Sequence, residues 1–278
     1  MMEYGVEHPC PQTRHLERPL ASGEHVLVVL GDSITCGTRF TPTKYYPALL
    51  EKLLNAHSRE PWRVLNAGYP GDTVVQGALR YARDVAPFRP EVLCISFGLN
   101  DGNPRRSQAD VQRELLWWAE RRFWAWALVT LQSWGRRLGL FRVKRENSLQ
   151  GLPRVPQRLF VRVLTDLVQR GRRQGAEVHL LPLVPVSRKV LPEGRWQLYR
   201  EYDGLIRQVG RQLNVPVVCW EAREDPFLPE VMRLSDGVHL SEKGEAWLAR
   251  RLYQHLREWS PRCRALLHSS AKFAKTMP

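Results

Sequence analysis

Apolar runs recur along most of the chain and alternate with segments of helix-like spacing. The apolar runs predict five strands, at residues 26–30, 63–66, 92–97, 178–183 and 215–220. The helix-like spacing predicts helices at residues 45–56, 74–83, 161–174, 196–213 and 241–258. This alternation predicts a three-layer α/β fold, with a doubly wound, flavodoxin-like parallel sheet of five strands covered by helices on both faces.

One stretch interrupts this rhythm. Roughly 80 residues separate the third and fourth predicted strands, where one crossover helix with its loops needs about 30. The surplus predicts a helical insertion at residues 103–156. The insertion is rich in tryptophan, and residues 102–158 carry twelve Arg or Lys against four Asp or Glu. A large share of the net charge of +14 therefore lies there.

The flanks of the predicted domain are polar and charged. We divide the chain into a polar leader at 1–24, an α/β domain at 25–260 and a basic tail at 261–278. The leader lacks the apolar core of a secretory signal, and no run reaches the ~18 apolar residues of a spanning helix. The five cysteines are scattered, so we expect reduced thiols and a cytoplasmic protein, with the inner membrane surface as an alternative location.

The insertion contains an amphipathic segment at residues 115–138. Its tryptophans and leucines cover a wide arc bordered by arginines, which fits a helix lying in a membrane interface or covering an acyl site. Packing on its own domain, or at an oligomer contact, explains the same pattern. Peripheral membrane contact through residues 114–145 therefore stays one of two interpretations, and the oligomeric state is not predicted. We expect no nucleic-acid partner, because no nucleic-acid motif is present.

The tripeptide Gly-Asp-Ser follows the first predicted strand, which places Ser33 at the carboxyl edge of the sheet. Taken alone, Asp32 and Ser33 serve equally well as caps of the next helix. A nucleophilic serine needs a general base and a group that orients the base. His239 in a short Asp-Gly-Val-His loop, with Asp236 three residues earlier, supplies both.

Two further strand ends offer hydrogen-bond donors for an oxyanion. The segment 66–73 contains Gly68, whose backbone N–H a ligand can approach without a Cβ in the way. The segment 98–101 contains the side-chain amide of Asn100. Either segment alone is typical of an ordinary glycine-rich turn.

Together, the four motifs resemble the conserved blocks of the SGNH hydrolases, also called the GDSL esterase/lipase family. They are GDS at 31–33, NxGxxGxT at 66–73, GxND at 98–101 and DxxH at 236–239. The resemblance implies an SGNH-type fold in which Ser33 is the nucleophile, His239 the base and Asp236 its orienting acid. It also implies that the backbone N–H groups of Ser33 and Gly68 and the side chain of Asn100 form the oxyanion hole. The family chemistry requires no metal or organic cofactor.

The expected activity is that of a serine esterase, which hydrolyses carboxylic esters through an acyl-serine intermediate. The amphipathic segment favours a lipid-like or medium-chain acyl ester as the small-molecule substrate. A carbohydrate O-acetylesterase and a thioesterase are alternatives with the same residues. A membrane-surface binding module on an inactive hydrolase body is the alternative outside enzymes.

Overall fold

A computed structural model describes residues 21–37, 41–121, 151–186, 193–220 and 230–267 of the chain. Its strands are β1 (His25–Gly31), β2 (Trp62–Gly68), β3 (Val92–Ser96) and β4 (Glu177–Leu180). Its first four helices are α1 (Ser33–Cys36), α2 (Tyr46–His57), α3 (Val74–Asp84) and α4 (Gln108–Ala119). The others are α5 (Gln157–Arg173), α6 (Glu193–Leu213), α7 (Glu242–Trp259) and α8 (Pro261–Leu266), with short 3₁₀ turns at Pro42–Lys44, Ala86–Phe88 and Glu230–Met232.

The strands form one parallel sheet in the order β2-β1-β3-β4. Gly31 at the end of β1 pairs with Gly68 of β2 on one side and with Ser96 of β3 on the other. Because this register aligns the carboxyl ends of three strands, the turns that follow them meet at one edge of the sheet. The predicted α/β fold with a parallel sheet is confirmed.

The fifth predicted strand is reduced to a single parallel bridge between Leu180 and Val217 within the described residues. Leu180 donates its N–H to Pro216, and Val218 donates its N–H to Leu180. Pro216 lacks an N–H and cannot extend the ladder in the other direction. The prediction of five full strands is therefore wrong in this detail.

Alternation along the strands divides the core between the two faces. Val28 and Leu30 of β1 pack in one cluster with α3, α4, α5 and α6, whereas Leu27 and Val29 pack in the other with α2 and α7. This arrangement is the three-layer architecture that a doubly wound sheet requires. No helix among the described residues is long and apolar enough to cross a membrane.

The packed domain includes residues that we assigned to the tail. α8 and Leu267 lie against the body of the protein, where Cys263 is fully buried and Leu267 bridges to Ser58. Residues 261–267 therefore belong to the domain, and the boundary at 260 is wrong. At the other flank, Glu24 forms an ion pair with the buried Arg63.

The insertion begins with α4, which Ser107 caps by accepting a hydrogen bond from the backbone of Asp110. Trp117 of α4 is 1% exposed and packs in the core, with the Arg121 guanidinium 4.1 Å from its ring centroid. The described start of the amphipathic segment therefore packs on its own domain. The rest of that segment, residues 122–138, lies outside the described residues.

Among the described residues, Cys94, Cys219 and Cys263 are free thiols. Cys94 and Cys263 are buried, whereas Cys219 is exposed.

Candidate active site

Ser33 is the first residue of α1, a four-residue helix that starts directly after β1. Asp32 caps this helix, since its Oδ1 accepts the N–H of Ile34 at 2.9 Å. Among the described residues, no acceptor takes the N–H of Ser33. The sharp turn from strand to helix therefore presents both the hydroxyl and the backbone N–H of Ser33 at the sheet edge.

Packing contacts from two other helices fix the position of α1. The hydroxyl of Tyr46 lies 2.8 Å from Oγ1 of Thr35, and the backbone N–H of Tyr46 donates to Glu245 at 2.9 Å. Burial raises the pKa of the Glu245 carboxyl to about 8. These contacts tie the helix that carries Ser33 to α2 and α7, which limits its freedom to move.

The loop before α7 brings His239 to Ser33, although the two residues are 206 positions apart. Nε2 of His239 lies 3.1 Å from Oγ of Ser33, and Nδ1 of His239 lies 2.8 Å from Oδ2 of Asp236. A hydroxyl, an imidazole and a carboxylate are thus joined in series. This is the arrangement of a serine catalytic triad.

Backbone hydrogen bonds hold Asp236 in its orientation. Its Oδ1 accepts the N–H groups of Val238 and His239, each at 2.9 Å. Burial raises the pKa of Asp236, but these two hydrogen bonds and the contact with the imidazole outweigh it, so the net pKa is lower than usual. The carboxyl is ionised at neutral pH, as an acid that orients an imidazole must be.

Arg233 lies beneath the triad loop and is a residue that the sequence analysis missed. It is buried, and its Nη1 donates to the carbonyl of Gly237 at 2.9 Å. Its Nε and Nη2 have no hydrogen-bond partner in the described part of the chain. Burial lowers the pKa of this guanidinium, which interacts favourably with Asp236. No local motif marks this arginine, because its role depends on the fold of the loop above it.

Asn100 follows β3 and lies on the same edge. Its Nδ2 donates to the backbone carbonyl of Asp72 at 2.9 Å and makes a longer contact, of 3.3 Å, with Oδ2 of Asp32. Asp32 is 2% exposed, and its burial raises the pKa of its carboxyl to about 7. The amide of Asn100 therefore has one firm hydrogen bond and one weak contact that a stronger acceptor can replace.

Gly68 does not occupy the position that we expected of an oxyanion donor. It is the last residue of β2, it is buried, and its N–H donates to Oδ1 of Asn66 at 3.0 Å. A Cβ at this position would lie 2.2 Å from the backbone nitrogen of Cys36. Close packing between β2 and α1 therefore explains this glycine, and its N–H is not available to a substrate.

The second glycine of the same motif, Gly71, lies in the turn beyond β2. It is exposed, and its φ of 75° falls in the left-handed region that favours glycine. Among the described residues, no acceptor takes its N–H. The carbonyl of Asp72, the next residue, accepts the Asn100 amide, which brings this turn beside Asn100.

Arg80 of α3 fixes the turn and the strand ends below it. Its guanidinium donates to the carbonyls of Gly31 and Ala67, each at 2.8 Å, and to the carboxylate of Asp72 at 2.7 Å. It therefore links the ends of β1 and β2 to the turn that follows β2. Sequence analysis did not predict this role, because Arg80 lies within a helix outside the four motifs.

A cavity of about 160 Å³ opens between these groups. Its lining includes Ser33, Asn100, Val238 and His239. The other described lining residues come from the segment after β3 and from α6: Gly98, Leu99, Gly102, Asn103, Pro104, Arg195 and Tyr199. The cavity therefore gives a ligand direct access to the Ser33 hydroxyl.

The fold and the contacts among Ser33, His239 and Asp236 resemble a serine hydrolase architecture distinct from one built on a GxSxG nucleophile turn. The model of the GDSL-like Lipase/Acylhydrolase family matches residues 29–247. The chain therefore belongs to the GDSL-like lipase/acylhydrolase family, and the resemblance found in the sequence is confirmed.

Curated relatives match parts of the chain. Esterase TesA of Pseudomonas aeruginosa is 34% identical over 95 residues, which cover 34% of this chain and 47% of the relative. The thioesterase 1/protease 1/lysophospholipase L1 of Escherichia coli is 33% identical over 82 residues, or 30% and 38% of the two chains. The chain thus spans less than half the length of these two relatives. Uncharacterized lipoprotein YqeF of Bacillus subtilis is 22% identical over 85% of this chain and 89% of its own.

Solved structures share the fold over most of the chain. The lipase/acylhydrolase from Enterococcus faecalis superposes with a TM-score of 0.57 and 20% identity, covering 84% of this chain and 96% of its own. The acetylxylan esterase Axe2 from Geobacillus stearothermophilus gives a TM-score of 0.55 and 20% identity, covering 84% and 94%. At this level of identity, the likeness describes the fold alone.

Proposed function

We propose that this protein is a serine esterase that hydrolyses carboxylic O-acyl esters through an acyl-serine intermediate. The observation that carries the proposal is the series of contacts from Ser33 through His239 to Asp236, with spacings of 3.1 and 2.8 Å. Membership of an acylhydrolase family supports it. A serine that only caps a helix needs no imidazole aligned on its hydroxyl.

In the proposed reaction, Oγ of Ser33 attacks the ester carbonyl while Nε2 of His239 takes the hydroxyl proton. Asp236 holds the imidazole in the required tautomer and stabilises the imidazolium. The tetrahedral intermediate then collapses, and His239 returns the proton to the departing alcohol. A water molecule, activated by the same imidazole, attacks the acyl-serine and releases the carboxylic acid.

The oxyanion is held by the N–H of Ser33, the Nδ2 group of Asn100 and, in place of Gly68, the N–H of Gly71. Neither backbone donor has an acceptor among the described residues, and the Asn100 amide can exchange its weak contact with Asp32 for the oxyanion. Each such donor contributes about 3 to 4 kcal/mol to transition-state stability.

The size of the cavity favours a short acyl group over the medium-chain group that the sequence suggested. A cavity of about 150 Å³ holds a molecule the size of benzene, and the cavity beside Ser33 is about 160 Å³. This supports an O-acetylesterase or another short-acyl esterase as the form of the activity. A thioesterase with a compact acyl group would fit the same space.

Hydrolysis of p-nitrophenyl esters, from acetate through butyrate to octanoate, tests the proposal. We expect kcat/KM to be highest for acetate or butyrate and to fall for octanoate. The variant Ser33→Ala should lose essentially all turnover while keeping the thermal unfolding midpoint of the parent protein. Retained activity in Ser33→Ala would exclude the acyl-serine route, and a maximum at octanoate would exclude the short-acyl form.

A further inference from the structure

The wall opposite the triad carries an arginine with no assigned role. Arg195 lies in the first turn of α6 and lines the cavity together with Ser33 and His239. Apart from the imidazole, it is the one ionisable cation among the described lining residues, and none of those residues is Asp or Glu. The cavity beside the nucleophile therefore has a positive wall without a compensating carboxylate.

Three other arginines in the described part of the chain pair with carboxylates. Arg106 pairs with Glu114 at 2.7 Å, Arg154 pairs with Asp110 at 2.9 Å, and Arg207 of α6 pairs with Asp203 at 2.8 Å. In the described part of the chain, the guanidinium of Arg195 makes no ion pair or hydrogen bond. It is partly buried, so bulk water reaches it less freely than it reaches an exposed side chain.

A partly desolvated guanidinium favours an anion that can accept two parallel hydrogen bonds, such as a carboxylate or a phosphate. We infer that the anion comes from the substrate, because the described lining residues supply none. The positive charge would also offset the repulsion between that anion and the oxyanion that forms on the substrate carbonyl when Ser33 attacks it.

We propose that Arg195 selects esters that carry an anionic group close to the ester bond, on either the acyl or the alcohol side. This inference rests on the proposed esterase function and names its substrate class. It assigns Arg195 as a specificity-determining residue that binds the charged group, while the triad performs the same reaction on charged and neutral esters.

The test uses two matched pairs of esters. On the acyl side, p-nitrophenyl hemisuccinate is compared with neutral p-nitrophenyl butyrate. On the alcohol side, 1-butyrylglycerol 3-phosphate is compared with 1-butyrylglycerol, with acid release followed by titration. In at least one pair, we expect the parent protein to favour the anionic ester, and the pair that responds identifies the side that carries the charge.

The variants are Arg195→Gln, Arg195→Lys and a control, Arg200→Gln, which removes the same charge from an exposed position of α6. Arg195→Gln should lower kcat/KM for the preferred anionic ester by about 10- to 100-fold, as expected for a hydrogen bond to a charged group. The neutral partner should change less than about threefold. Arg195→Lys should retain part of the preference, and Arg200→Gln should retain it in full.

An unchanged anionic-to-neutral ratio in Arg195→Gln, for both pairs, would overturn the inference. An equal loss in Arg200→Gln would also overturn it, because the effect would then come from overall charge. A binding measurement tests the role of Arg195 independently of whether the protein is an esterase. Calorimetric titration of each anionic ester into Ser33→Ala and into Ser33→Ala/Arg195→Gln should show affinity for at least one of them, and only in the former protein, even if no ester is turned over.

Discussion

The two walls of the cavity differ in how completely their polar groups are satisfied. The catalytic wall consists of Ser33, Asn100 and His239, each of which has its side chain positioned by another group of the protein. On the recognition wall, formed by Asn103, Pro104, Arg195 and Tyr199, Oδ1 of Asn103 is buried without a partner and the Arg195 guanidinium makes no described contact. In the proposed mechanism the groups that perform chemistry are thus preorganised, whereas two polar groups of the recognition wall have no partner among the described residues.

Removing the proposed base should have the largest effect on activity. His239→Ala leaves the Ser33 hydroxyl without a proton acceptor, so kcat should fall by about 10⁴-fold or more for neutral and anionic esters alike. Asp236→Asn should also lower kcat, because the imidazole loses its orienting carboxylate. Steady-state rates on both ester pairs check this, and a loss confined to one substrate class would contradict a shared catalytic wall.

Two asparagine variants, one on each wall, should have smaller effects that differ between the walls. Asn100→Ala should lower kcat by about 10² to 10³-fold, since it removes a donor to the oxyanion. Asn103→Ala, on the recognition wall, should act mainly on KM. The thermal midpoint of each variant controls for folding, because Asn100 also bonds the carbonyl of Asp72. Equal effects of the two variants on kcat would remove the distinction between the walls.

The smallest effect on activity should come from changing a histidine pair in the core. Nδ1 of His179 in β4 lies 3.0 Å from Nε2 of His255 in α7, and both residues are buried. Burial lowers the pKa of His179 to about 3 and that of His255 to about 4. Between pH 6.5 and 4 the unfolded chain therefore binds more protons than the folded protein, and stability falls as pH falls.

The variant His255→Gln removes one of these groups. The slope of unfolding free energy against pH should decrease by about 1 kcal/mol per pH unit on average in this window, with kcat at neutral pH unchanged. Urea unfolding at pH 6.5, 5.5 and 4.5 measures the slope. Burial raises the pKa of Asp32 and Asp101 to about 7, which contributes the opposite slope, but both groups are present in parent and variant and cancel in the difference. An identical slope in the variant would show that the pair does not titrate on unfolding.

Sequence motifs identified residues of the catalytic wall but not those of the recognition wall, because the motifs lie at the ends of predicted strands and helices. Ser33, Asn100 and the Asp236 loop each follow a predicted strand or precede a predicted helix, so a parallel sheet with aligned ends brings them together. Arg195 belongs to a helix whose position depends on packing against distant parts of the chain. No motif records that position.

Gly68 shows where motif reasoning fails even on the catalytic wall. The motif at 66–73 contains two glycines, and apolar patterning ended the strand at residue 66. β2 continues to Gly68, which makes that glycine part of the sheet and leaves Gly71 in the turn beyond it. Two residues of strand length therefore decide which glycine lies in the turn beyond the sheet, and a difference of that size is below what periodicity resolves.

The central claim is that Ser33 forms a covalent acyl intermediate with the help of His239. Labelling with a fluorophosphonate, followed by intact-protein and peptide mass spectrometry, tests this claim most directly. We predict one adduct per chain, located on Ser33, absent in Ser33→Ala and formed far more slowly in His239→Ala. Stoichiometric labelling of another residue, or an unchanged rate in His239→Ala, would contradict the proposed triad.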